Sequence, residues 1–252
     1  MNGLKGLLVG TLIFLHLPVL ALAVFSFSRS RLSASFDGPS LVWYEKLLNN
    51  GPLMRAMENS LIVGGLSTLI VLIIATAAAL GTRSSPKRTG ERVASLFLVP
   101  LVTPEIVFGA SLLVFFSRLF IPLGIGTVVA AHVIFPLSFA YFVIRARVHT
   151  LPLNVEEAAR DLGANEWTTF RRVTLPMIAP GVLAGAMLAF TLSLDDFIIT
   201  FFTSGPGSTT LPIYVYGLLR RIVTPEVNAL STLWILGVLV LVFIYQWVEH
   251  RE

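Results

Sequence analysis

An all-α integral membrane fold is predicted: six transmembrane helices, both termini on the cytoplasmic side (N-in/C-in). Three observations predict it. Of the 252 residues, 55% are hydrophobic and only 13% charged, where a soluble domain carries about 25% charge. The chain divides into six apolar runs at 7–27, 60–81, 93–117, 127–144, 177–202 and 229–248, each about long enough to span a bilayer. Basic residues gather on one side. With the N-terminus inside, the inner segments hold Lys5, Arg83, Lys87, Arg88, Arg92, Arg145, Arg147, Arg160, Arg171, Arg172 and Arg251, 11 of the 18 Lys and Arg, as the positive-inside bias requires. Residues 1–252 read as a single transmembrane domain. The net charge of +4 comes from these flanks and not from a nucleic-acid surface. With no Cys, disulfides and thiolate chemistry are excluded.

The first run follows Lys5. Ala21-Leu22-Ala23 has the spacing of a signal-peptidase site. The run is long for a signal h-region, however, and a single Lys is a thin basic flank, so a retained span is expected. Residues 28–57 read as an external loop with a short interfacial helix near 41–49, where Trp43 and Tyr44 suit a membrane surface. The second run carries Gly64-Gly65 and Ala75, Ala77, Ala78 and Ala79, small residues that allow close helix approach. The third contains Thr103-Pro104-Glu105. A charge in mid-span costs about 2.5–3.5 kcal/mol on insertion scales and marks a functional candidate. The bland reading of Glu105 is an interhelix hydrogen bond. His132, in the fourth run, reads as a packed, hydrogen-bonded residue. The fifth opens on Gly181, Gly185 and Ala189, a tight-packing face, and reaches Asp195-Asp196 roughly 27 Å from Met177 at 1.5 Å per residue. Residues 203–228 read as a second external loop, with a turn at Ser204-Gly205-Pro206-Gly207.

The longest polar stretch lies between spans four and five, at 148–176. Asn154 is an N-cap candidate with Glu157 at the third helical position, close to a capping box. Glu156 and Glu157 face the positive end of the helix dipole. Val155, Ala158, Ala159 and Leu162 form one apolar stripe. Gly163 suits a left-handed helix end. Asn165 can cap a second short helix carrying Trp167, Phe170 and Val173, which Leu175-Pro176 is expected to stop. An exposed apolar stripe of this kind calls for a partner.

Glu157-Ala158-Ala159, three residues, Gly163, nine residues and Val173-x-Leu175-Pro176 resemble the EAA loop of permease subunits of binding-protein-dependent ABC importers. Val173 stands where that family usually has Ile. The resemblance implies a type I ABC importer permease-like fold whose short cytoplasmic coupling helix sits in a cleft of an ATPase subunit. Glu156, Glu157, Ala158, Ala159, Gly163, Leu175 and Pro176 would carry that coupling. The stretches Ser193-Leu194-Asp195-Asp196-Phe197, Leu211-Pro212 and Pro225-Glu226-Val227-Asn228 are similar to the second permease of spermidine/putrescine importers. That implies a bacterial inner-membrane protein working by alternating access with a sister permease, two ATP-binding subunits and an external substrate-binding protein. ATP and Mg would be bound by the ATPase and no cofactor by this chain.

No phosphate loop, H-E-x-x-H or G-x-S-x-G occurs in the chain, so the chain reads as a non-enzyme whose energy comes from another subunit. A polyamine needs spaced carboxylates and aromatic faces. Glu105, Asp195 and Asp196 supply the acids, and Phe108, Tyr214 and Tyr216 the rings. The alternatives are the same architecture with another solute (aminophosphonate, ferric iron or thiamine) or an ion-coupled carrier, which would not need the central loop. Asp195 and Asp196 are sequence neighbours on one helix and do not face each other, which excludes a shared-proton protease dyad.

Overall fold

The computed structural model describes residues 2–30, 35–152, 154–220 and 225–249. Arg31, Arg221, Thr224 and Arg251 lie outside the described residues. The described residues are almost entirely helical: α1 (Asn2–Ser26), α2 (Val42–Leu48), α3 (Gly51–Arg83), α4 (Lys87–Val102), α5 (Glu105–Arg118), α6 (Ile125–His149), α7 (Asn154–Asp161), α8 (Glu166–Thr169), a π-helical turn (Phe170–Thr174), α9 (Leu175–Asp195), α10 (Ile198–Thr203), α11 (Leu211–Leu219) and α12 (Pro225–Glu249). Two compact units form, Met1–Met54 with Tyr214–Glu252, and Arg55–Ile213.

Four helical stretches are long and apolar enough to cross a membrane: Leu4–Ser26, Gly51–Arg83, Ile125–His149 and Glu166–Asp195. The expected third span, 93–117, is not one straight helix. It breaks into α4 and α5, which meet at 101°. Pro104 has no N–H to donate and disfavours helical geometry in the residue before it; Thr103 is accordingly extended at φ −80°, ψ 127°. The hydroxyl of Thr103 turns back to Val99 O at 2.7 Å. Glu105 therefore opens a helix instead of sitting inside one. The sixth expected span, 229–248, lies within α12.

The second unit is built on α6 and α9. Ala189 is buried on the small-residue face of α9. A Cβ at Gly181 would collide with the Arg147 side chain, and one at Gly185 would lie 3.0 Å from Ile144 Cγ1. Only glycine permits this approach. Arg147 Nε fastens the pair by donating to Met177 O at 2.9 Å. Val71, Ala75 and Ala79 of α3, Tyr141 and Ile144 of α6 and Ile178 of α9 complete one apolar core, and Phe97 stacks on Tyr141 at 4.0 Å. A second cluster joins Leu112 and Phe116 of α5, Ala131 of α6 and Ile199 of α10. A Cβ at Gly109 would come within 2.8 Å of Phe202, so α5 and α10 also pack closely.

The first unit holds α1, α2 and α12. Side chains along α1 such as Leu7 and Phe14 are 69% and 75% exposed, an apolar surface that fits lipid and not water. Trp43 is buried within the chain, and its Nε1 donates to Ser28 O at 3.0 Å and Ser30 O at 3.2 Å. The carbonyls of the irregular segment after α1 need donors, and the indole supplies one. Asn50-Gly51-Pro52 was expected as loop, with the second span starting at 60. It is a helix start: Asn50 Oδ1 accepts Leu53 N at 3.1 Å, and proline is tolerated in a first turn.

Candidate functional site

Two constellations in the second unit bring together most of the residues singled out by sequence; Tyr214 and Tyr216 lie in the first unit. The first is the polar loop. α7 runs from Asn154 to Asp161, so Asn154, expected as the residue that caps the helix from outside, is itself helical. Gly163 has φ +86°. Ala164 N donates to Ala159 O at 3.0 Å and Gly163 N to Arg160 O at 2.8 Å, the bond pair of a Schellman end. Asn165 Oδ1 caps α8 by accepting Thr168 N at 2.8 Å. No side chain of α7 is buried. Glu157 and Ala158 are exposed, Val155 and Ala159 half-buried, and Leu162 and Trp167 are 90% and 66% exposed. The loop thus presents apolar groups that the described residues leave largely uncovered.

Glu156 points the other way. Its Oε1 accepts Thr174 Oγ1 at 2.7 Å and Arg83 Nη1 at 3.3 Å. Arg83 Nη2 also donates to the carbonyls of Leu151 and Pro152 at 3.4 and 3.3 Å. The loop is thereby tied to the end of α3 and the head of α9, around a cleft of about 230 Å³ lined by Arg83, Glu156, Arg160, Glu166 and Thr169. Leu175-Pro176 does not stop the helix, contrary to expectation. Helix runs unbroken from Glu166 to Asp195, with Leu175 and Pro176 outward-facing. The π-helical turn at Phe170–Thr174 widens the backbone just ahead of Leu175-Pro176. That absorbs the missing donor and the clash that a tight α-turn would suffer. The loop is therefore continuous with a 30-residue helical stretch that enters the core.

The second constellation lies where α9 ends. The fifth apolar run, expected as one helix from 177 to 202, breaks at Asp196, whose backbone is extended at φ −64°, ψ 122°. The cause is the Asp196 side chain. Its Oδ1 accepts Ile199 N at 3.1 Å, and its Oδ2 accepts Thr200 N at 2.8 Å and Thr200 Oγ1 at 2.7 Å. These bonds satisfy orphan donors of α10. His132 Nε2 lies 3.1 Å from the same Oδ2, while His132 Nδ1 lies 2.6 Å from Ser193 Oγ. Ser67 of α3 reaches Ser193 at 3.4 Å. Asp195, by contrast, is exposed.

Glu105 is half-buried at the start of α5, beside the Asp196 carboxyl. The two helix breaks, at Thr103-Pro104 and at Asp196-Phe197, thus meet through their acids. Phe108, one turn on, packs against Phe135 with tilted rings whose centroids are 6.1 Å apart. Tyr214 and Tyr216 belong to the first unit. There the Tyr214 hydroxyl accepts Asn50 Nδ2 at 2.8 Å, Asn50 Nδ2 also donates to Glu226 Oε1 at 2.7 Å, and Arg220 lies 4.6 Å over the Tyr216 ring. His132 was read from sequence as packed and hydrogen-bonded, and it is. Its partners carry a signal in the sequence: Ser193, Asp196 and Thr200 recur at i, i+3 and i+7. Among the described residues, no group of His, Cys, Asp and Glu is arranged to hold a metal ion.

The family described as binding-protein-dependent transport system inner membrane component matches residues 70–251. The putrescine transport system permease protein PotI of Escherichia coli K12 is 40% identical over 241 residues, 93% of this chain and 85% of that protein. The spermidine/putrescine transport system permease protein PotC of the same strain is 34% identical over 247 residues, 98% and 94% of the two. Among solved structures, a bacterial ABC transporter involved in the import of the acidic polysaccharide alginate superposes with a TM-score of 0.74 at 17% identity, covering 99% of this chain and 94% of that one. An amino acid ABC transporter with histidines gives 0.61 at 19% identity, covering 83% and 98%. At such identities the structural likeness speaks for the fold alone.

Proposed function

Since the chain belongs to the inner membrane components of binding-protein-dependent transport systems, we propose that it is the permease subunit of an ATP-driven importer for polyamines, putrescine or spermidine. The observation that carries the substrate is the 40% identity to a putrescine permease across 93% of the chain. Exposed Asp195 and half-buried Glu105 support it, because a polycation gains from spaced carboxylates. An acidic polymer such as the alginate carried by the structural relative would be repelled by the same groups.

The chain crosses the inner membrane six times, counting α4 with α5 as one broken span and α12 as the sixth, with N-in/C-in orientation. The loop 148–176 then lies on the ATP side. Leu162, Ala158, Glu157 and Trp167 form the face that seats in an ATPase subunit, and the chain itself hydrolyses nothing. A sister permease, two ATPase subunits carrying ATP and Mg, and an external binding protein complete the importer. ATPase closure pulls on α7. The bonds from Glu156 to Arg83 and Thr174, and the unbroken helix into α9, pass that movement to the break at Asp196. Substrate crosses as the outer mouth closes and the inner one opens.

A mild-detergent pull-down of the chain from its native membrane tests this assembly. An ATPase, a second permease and a binding protein that takes up putrescine or spermidine are expected in the eluate. Recovery of this chain alone, or of a binding protein specific for an aminophosphonate, ferric iron or thiamine, contradicts the assembly or the substrate respectively.

A further inference from the structure

Two adjacent acids, Asp195 and Asp196, end α9, and they are in opposite situations. Asp196 is 7% exposed. Its two oxygens accept the Ile199 and Thr200 backbone N–H groups, the Thr200 hydroxyl and the His132 imidazole, which fills the roughly four acceptor sites of a carboxylate. Asp195 is exposed. His132 is what separates the two roles. It is 2% exposed on α6 and bridges Ser193 before the break to Asp196 and Thr200 within and after it. With Nε2–H donated to Asp196, Nδ1 accepts the Ser193 hydroxyl, so one neutral ring satisfies both sides of the corner.

We propose that His132 is a positioning residue for transport: by bonding to Ser193 and Asp196 it locks the corner between α9 and α10, and it leaves Asp195 as the member of the acidic pair that meets substrate. The corner matters because α10 packs on α5 where Gly109 meets Phe202, and α5 carries Glu105, which faces Asp196. A loose corner misplaces the end of α9 and the start of α5 together. The loss falls on the rate of the conformational cycle, while the affinity of the exposed acid for its cation is left nearly as it was.

This inference rests on the importer reading for its probe, which is labelled putrescine. The intact importer, with its ATPase, sister permease and binding protein, is reconstituted in liposomes, and uptake is followed against the concentration of the putrescine-loaded binding protein. His132→Leu is expected to lower the maximal rate about tenfold or more, the worth of a hydrogen bond to a charged group, with the half-saturating concentration changed less than about twofold. His132→Gln, whose amide can reach Asp196, restores most of that rate. Adding Asp196→Asn to His132→Leu costs less than the two single changes summed, because they share the His132–Asp196 contact, although the amide also gives up part of the α10 cap. Asp195→Asn raises the half-saturating concentration instead. If the leucine variant fails to co-purify with the ATPase, His132→Asn, too short to reach Asp196, takes its place. A glutamine variant as impaired as the leucine or asparagine one overturns the proposal. So does a histidine variant whose half-saturating concentration rises as in Asp195→Asn, or full wild-type kinetics in all of them. A wild-type importer that transports another solute but not putrescine contradicts the substrate reading alone, and the same comparison is then read on that solute.

Discussion

The Thr174 hydroxyl donates to Glu156 Oε1 at 2.7 Å, joining the first turn of the loop helix to the residue just before the head of α9. Because the same oxygen also accepts Arg83 Nη1 at 3.3 Å, one carboxylate holds three elements. Thr174→Val removes the shorter bond and keeps the shape. It should cost about 1 kcal/mol of local stability and reduce uptake per ATP hydrolysed. Arg83→Gln should cost less, since Glu156 is 29% exposed and water screens such a pair to about 1 kcal/mol or below. Paired measurements of ATP hydrolysis and uptake check both, and unchanged coupling in Thr174→Val would show that the tie is not on the transmission route.

Gly163, at φ +86°, occupies a conformation that costs an ordinary residue about 1–2 kcal/mol. Gly163→Ala should loosen the loop by that amount, measurable as faster amide exchange over α7. Gly163→Pro should be far worse. Proline cannot adopt this φ, and the donor to Arg160 O at 2.8 Å is lost. ATP hydrolysis without uptake, or loss of the ATPase from the purified complex, is the expected result.

Leu162 and Trp167 touch little within the chain, so Leu162→Ser and Trp167→Ala should change its own stability by no more than about 0.5 kcal/mol. Glu157→Ala should behave alike. Each should nonetheless weaken retention of the ATPase, and the Trp change most, since large aromatic anchors dominate interfaces. Co-purification at rising salt and detergent checks this against thermal stability of the isolated chain.

Glu105→Gln and Asp195→Asn keep size and polarity and remove charge. Uptake of putrescine should fall in both while assembly with the ATPase is retained. A neutral competitor of similar length should not be disfavoured. Undiminished uptake in both variants would remove these acids from the substrate path.

Most of the architecture was legible because its signals are local. Apolar runs of spanning length, the Asn165 cap, the Gly163 helix end and the small face of Gly181, Gly185 and Ala189 all depend on residues near one another in sequence. The breaks were harder. Thr103-Pro104 was noticed, but whether a proline kinks a span or splits it by 101° depends on what packs beside it. At Pro176 the opposite happened, and a π-helical turn carried the helix through a residue expected to end it. Asp196 and His132 are 64 positions apart in sequence, and their meeting is a tertiary fact. The stripe Ser193, Asp196, Thr200 announced a buried polar partner without naming it. Trp43 went inside because the carbonyls of Ser28 and Ser30 needed a donor, which no hydropathy pattern reveals.

The most direct test of the central claim is ATP-dependent accumulation of labelled putrescine inside liposomes that contain the reconstituted importer, with its binding protein outside and ATP within. Accumulation that requires both ATP and binding protein, and that disappears with Gly163→Pro, is the predicted result. Uptake that proceeds without ATP, or follows an imposed ion gradient instead, would contradict it.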